Sequence, residues 1–159
     1  MSKMRLKLVL AGVLAACAFV GIASGIAWAT AASGVSTVLS GPVLFDDVKV
    51  KSDSDVNKVE IHMKGSSDVY VVTNTIAPGG HTGWHSHPGI SFVTVKSGTA
   101  TEYSGDAPTT PNVYPAGTGL VEEAGHVHII WNEGTVPLVL FAFQIIPHGA
   151  QRRIDAPAP

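Results

Sequence analysis

From Thr30 onward the chain shows no helical repeat of apolar residues, and this most restricts what it can fold into. Short β-branched and aromatic runs alternate instead with clusters of Gly, Pro, Asn and Asp. Strands are expected over Val43–Val50, Lys58–Met63, Val69–Ala77, Gly83–His87, Ser91–Lys96, Thr99–Ser104, Gly119–Glu122, Val127–Asn132 and Val136–Ile146. Ser97-Gly98 sits between two alternating runs and reads as a tight hairpin turn. Asp106–Pro111 reads as a loop, because two prolines cannot sit in a central strand. Many short strands at regular spacing indicate an all-β sandwich or barrel, and the hairpins allow a jelly roll.

With 159 residues the chain suits one domain. Residues 40–147 are the expected barrel, 30–39 a linker, and 148–159, ending Asp-Ala-Pro-Ala-Pro, a disordered tail. The first 29 residues are of another kind. Lys3, Arg5 and Lys7 precede an uncharged apolar run from Leu8 to Ala29, closed by Ala27-Trp28-Ala29. This pattern reads first as a secretory signal cleaved after Ala29. A helix of that length also reaches across a bilayer core, so an uncleaved anchor comes second. Leu14-Ala15-Ala16-Cys17 resembles a lipobox and comes third, since Ala18-Phe19-Val20 stays apolar where a tether turns polar. All three place the domain outside the cytoplasm, with membrane contact only through this segment if it is retained.

Cys17, the single cysteine, lies in that leader, which leaves the mature domain without a disulfide or a thiolate. Three of the ten basic residues also lie there. The remaining seven face twelve acidic residues, a net charge of −5. That balance argues against nucleic acid, which needs clustered cations. No Gly-rich phosphate loop precedes a helix and no Gly-x-Ser-x-Gly elbow occurs. Glu60, Asp53 and Asp55 lie in a polar stretch that reads as a surface loop rather than an acid/base pair.

The histidines carry the chemistry. Six of the seven fall after residue 80, and four form His-x-His pairs, His85/His87 and His126/His128. Residues i and i+2 of a strand share a face, so His85 and His87 can both point inward. A third imidazole from a facing strand would then surround one ion and leave coordination positions open. Taken singly, each His would be an ordinary surface or core residue; the shared parity of the pairs argues for more.

The surrounding frame has a known likeness. Gly79-x5-His85-x-His87-x3-Ser91-x6-Gly98 resembles the first motif of the cupin superfamily, with Ser91 where the family usually has Glu. Gly117-x5-Glu123-x-Gly125-x2-His128-x3-Asn132 resembles the second, with Glu123 where Pro is usual. Eight of the ten motif positions agree, over Val69 to Pro147. The resemblance is to small single-domain bacterial cupins. It implies a β-barrel whose mouth holds a divalent transition metal through His85, His87 and His128. It also implies that sheet edges can support a homodimer. Iron, zinc, manganese, nickel and copper all accept imidazole, so the ligand type does not choose among them.

Without the Glu, three neutral imidazoles leave the ion's charge uncompensated. If Ser97-Gly98 closes a hairpin, Val93 pairs with Glu102, which makes Glu102 an inward candidate for the replacement carboxylate. A register shifted by one leaves it solvated. His81, in the Gly79-Gly80 loop, is either a pocket residue or an exposed one. His126 is a fourth ligand, a proton shuttle or a solvent-facing residue. Glu122 and Glu123 read as solvated turn residues, and Trp84 and Trp131 as outer packing. The resemblance implies a metal-dependent oxidoreductase of dioxygenase type acting on a small molecule. The missing Glu favours the alternative of a non-catalytic module that binds a small ligand or metal. A dimerising structural domain with the metal as a staple is the third reading.

Overall fold

The computed structural model describes residues 29–159. The expected signal or anchor and its apolar helix, at 1–28, lie outside the described residues. Twelve strands follow: β1 (Ser33–Phe45), β2 (Val48–Asp53), β3 (Lys58–Met63), β4 (Ser67–His81), β5 (His85–Ser86), β6 (Ile90–Ser97), β7 (Thr99–Ser104), β8 (Ala107–Pro115), β9 (Gly119–Glu122), β10 (His128–Trp131), β11 (Leu138–Pro147) and β12 (Ile154–Asp155). The described residues contain no helix. The domain is all-β, as its residue pattern requires.

Ten strands join into a nearly closed barrel. One wall runs β1-β4-β11-β6-β9, the other β12-β5-β10-β7-β8. The walls meet where the end of the long β4 reaches β10, pairing His81 with Trp131. All these pairings are antiparallel. Strand β11 shows why the wall folds: Leu138, Leu140, Ala142, Gln144 and Ile146 are buried while Phe141 and Phe143 face out. Val93 and Val95 of β6, Leu120 of β9 and Ile130 of β10 fill the same interior, with Val72 and Ile76 of β4. Strands β2 and β3 form a separate hairpin.

Four expectations change. Residues 33–39 are not linker but the start of β1, which pairs along β4 and extends the barrel wall. The run Val43–Val50 divides at Asp46-Asp47, whose carboxylates accept from Ser66 Oγ and the Gly65 amide and turn the chain into β2. Gly98 does sit at a turn, with φ +77°, but β6 and β7 do not pair across it. The chain crosses there from one wall to the other, so β6 pairs with β11 and β9, and β7 with β8 and β10. Asp106–Pro111 falls mostly within β8, which bonds to β7 alone; an edge strand leaves one side free for prolines.

The tail is the fourth. Residues 148–159 fold back over the barrel mouth, and β12 pairs Ile154 with Ser86 and Asp155 with His85. Ala156 donates to the Trp84 carbonyl at 2.9 Å, and Thr30 donates to Ala156 at 3.0 Å. Pro-rich composition suggested disorder, but backbone pairing with β5 supplies what the composition lacks.

Candidate metal centre

His85 lies on β5 and pairs directly with His128 on β10; His87 follows two residues later with the same parity. The three rings converge with centroids 4.4, 4.9 and 5.7 Å apart. Their nearest nitrogens all lie within 4.8 Å of one another. All three side chains are buried, His128 completely.

Each ring is held by its Nδ1. His85 Nδ1 lies 2.8 Å from the Gly83 carbonyl, His87 Nδ1 2.7 Å from the Arg152 carbonyl and His128 Nδ1 3.1 Å from the His126 carbonyl. A carbonyl only accepts, so Nδ1 carries a proton in each ring, and Nε2 is the nitrogen each ring can offer to a metal. This outer bonding is the arrangement that orients imidazole ligands. Burial, then the charges of His128, Arg153 and His87, holds His85 far below its ordinary pKa. Burial also lowers His87, against the opposing charge of Glu122. Both rings are neutral at pH 7, as ligation requires.

Glu122, read from sequence as a solvated turn residue, is buried in this cluster. Its carboxylate lies 3.2 Å from His128 Nε2 and 3.6 Å from His87 Nε2. Burial alone would raise Glu122 and lower His128, but their mutual attraction outweighs it: Glu122 falls and His128 rises. The contact between Glu122 and His128 Nε2 is thus a buried charge pair rather than a well-directed hydrogen bond. Three buried imidazoles oriented through Nδ1, with their ligand nitrogens within 4.8 Å of one another, form a donor set that fits a bound divalent transition metal.

A cavity of about 270 Å³ opens beside the cluster, lined by His85, His87, Glu122, Gln144, Arg152 and Arg153 among others. The other sequence candidates do not line it. Glu102 is buried, as inward parity required, although the β6–β7 pairing behind that expectation is absent. Its carboxylate instead accepts from Tyr114 Oη at 3.3 Å. His81 packs against Trp131, with centroids 4.2 Å apart, and accepts from the Gly83 amide. His126 turns to Ser104 Oγ, 2.8 Å from its Nε2, and serves the cluster through its carbonyl. Trp84 is buried rather than on the outer surface.

Residues 72–144 match the family described as the Cupin domain. The barrel is a cupin-like domain. The cluster able to coordinate a metal has three histidines and no Glu at the first-motif position, where Ser91 stands. No curated protein matches the chain. Solved structures similar to this cupin-like domain include a Klebsiella pneumoniae protein with a double-stranded β-helix domain (23% identity, 70% of this chain and 84% of that one, TM-score 0.48). A conserved Streptococcus pyogenes protein of unknown function is also similar (22% identity, 52% and 68%, TM-score 0.45). So is a predicted oxalate decarboxylase from Thermotoga maritima (19% identity, 52% and 83%, TM-score 0.43).

Proposed function

We propose that this chain binds a divalent transition metal at His85, His87 and His128 and acts there on a small molecule that carries an anionic group. The observation that carries the metal is the convergence of three buried imidazoles, each committed through Nδ1, whose ligand nitrogens all lie within 4.8 Å of one another. When bound, a metal supplies Lewis acidity and, for a redox-active ion, electron transfer to dioxygen or substrate. The protein's part is to hold three ring nitrogens on one side and leave the cavity side open.

The anionic group is inferred from Arg152. Its guanidinium lines the cavity and donates to Gln144 Oε1 at 2.7 Å. Among the described residues no carboxylate lies within 4.0 Å of it, whereas Arg153 is paired with Asp155 at 2.6 Å. Burial, then the neighbouring Arg153, lowers the Arg152 pKa, so the cation stands partly desolvated. A ligand carboxylate or other oxyanion would supply the charge-assisted partner.

Oxidation of dioxygenase type is the reaction the open three-imidazole site suits best. A non-catalytic binding module is the second reading, favoured by one observation: among the described residues Glu122 is the only carboxylate lining the cavity, and the imidazoles engage it. The N-terminal basic and apolar pattern supports action outside the cytoplasm in both readings.

Elemental analysis of protein purified from its native compartment, beside a His85→Ala variant, tests the metal. Stoichiometric metal in the parent chain and none in the variant is expected; equal content in both overturns the site. Calorimetry of the metal-loaded chain with malonate, and with malonamide as the neutral control, tests the anion. Arg152→Gln should weaken malonate binding at least tenfold; equal affinity for malonate and malonamide overturns that part. Dioxygen uptake then separates enzyme from binder.

A further inference from the structure

We infer that Glu122 is a fourth protein ligand to the metal, so that the carboxylate missing from the first motif has moved one strand sideways. The inference rests on the three-histidine metal reading and adds a ligand that the cupin motifs do not provide.

Ser91 of β6 occupies the position where the first motif usually has Glu, and its register partner on β9 is Glu122. Directly opposed residues on antiparallel strands have Cβ atoms about 4.5–5.5 Å apart. A Glu side chain from either position can therefore reach the same point inside the barrel. Glu122 does so: it shares parity with the buried Leu120 and is only 5% exposed. A carboxylate placed there without a partner would be strongly disfavoured.

The distances suit ligation. Ligand atoms about 2.0–2.2 Å from one ion lie roughly 3.0–3.6 Å apart when adjacent. Glu122 oxygens stand at 3.2 and 3.6 Å from two ligand nitrogens, one oxygen toward each ring. Charge points the same way. Three neutral imidazoles leave a buried divalent ion uncompensated, and one carboxylate removes half of that charge. The competing acid, Glu102, already accepts from Tyr114 Oη and does not line the cavity. A row of polar side chains backs Glu122: Gln144 Nε2 donates to Ser91 Oγ at 2.9 Å, which leaves the Ser91 hydroxyl proton free for the carboxylate.

Cobalt(II) is the probe, since it reports both affinity and coordination through its visible d–d bands. The full chain is titrated with Co(II) against a competing chelator, alongside Glu122→Gln and Glu102→Gln. The expected result is at least a tenfold loss of affinity and shifted bands for Glu122→Gln, with neither effect in Glu102→Gln. Unchanged affinity and bands in Glu122→Gln overturn the inference, as does the same loss appearing in Glu102→Gln alone. Lost affinity with unshifted bands also overturns it, because Glu122 would then only position the imidazoles. A crystal structure of the Co(II)-loaded parent chain is independent of any variant's folding. A Glu122 oxygen within about 2.3 Å of the ion supports ligation, and one beyond about 3 Å rejects it. If the folded parent chain takes up no Co(II), the three-histidine reading itself fails, an outcome distinct from a parent chain that binds normally without Glu122.

Discussion

Ser91 and Glu122 face each other across the β6–β9 ladder, both turned into the barrel, with Gln144 on the far side of Ser91 in the β11 register. Three adjacent strands thus contribute a row of buried polar side chains to an otherwise apolar wall. Ser91 is fully buried and accepts from Gln144 Nε2 at 2.9 Å. In Ser91→Ala that buried amide hydrogen loses its acceptor, at a cost of about 1–3 kcal/mol. The urea midpoint should fall by the corresponding amount with the slope unchanged. An unaltered midpoint would mean that water or a rotated Gln144 replaces the serine.

Binding at the three imidazoles should register as stability. A metal that binds only the folded chain stabilises it by about 2.7 kcal/mol when its free concentration is a hundred times the dissociation constant. Saturating Zn(II) is therefore expected to raise the melting temperature of the parent chain by several degrees. His85→Ala and His128→Ala should show no such rise. Calorimetric melts with and without metal read both effects, and an equal rise in all three proteins would place the metal elsewhere.

Much of this was legible in the residues. His85 and His87 announce a shared face by their spacing, and the motif spacing around His128 links a distant segment to them. Thr99–Ser104 and Gly119–Glu122 have the boundaries their alternation indicates. Glu122 was legible too, by parity with Leu120, but a Glu-Glu pair before Ala-Gly looks like a solvated turn. Which strand lies beside β6 is a property of the whole sheet, and only that neighbour brings Glu122 opposite Ser91. Arg152 had no local signal: two arginines in a Pro-rich tail look unstructured until the chain is seen to pair with β5. The hairpin assigned to Ser97-Gly98 failed for a related reason. A tight turn fixes where the chain reverses or bends, not which sheet receives the next strand.

Gly89 follows the His87-Pro88 segment and packs on the β11 backbone. A Cβ added there would stand 1.9 Å from the Ile145 carbonyl oxygen and 2.9 Å from its carbon. Neither is the end of a flexible side chain, so Gly89→Ala must displace backbone beside His87, a proposed metal ligand. A loss of about 3 kcal/mol or more is expected, at the severe end for single substitutions. Metal affinity should fall with it, because His87 is only two residues away. Chemical denaturation together with Co(II) titration checks both; a stable variant with normal affinity would show that β11 can shift freely.

Asp68 links acid stability to the tail that carries Arg152. This β4 carboxylate accepts from His148 Nδ1 at 2.9 Å and from the Gly149 amide at 3.0 Å, just where the chain leaves β11. The hydrogen bond from His148, then that from Gly149, lowers its pKa below the usual 3.8. A carboxylate depressed in the folded state binds protons more readily once unfolded. Its contribution is therefore fully present above the unfolded value, near pH 4, and is lost as pH falls through the lower folded value. Between neutral pH and about pH 3 the parent chain should lose stability more steeply than Asp68→Asn, which cannot titrate there. Urea midpoints measured across that range supply the comparison, and the difference between the two proteins isolates Asp68 from the other carboxylates. Parallel curves would mean that the Asp68 contacts to His148 and Gly149 contribute equally in both protonation states, so that this carboxylate does not tie acid stability to the tail.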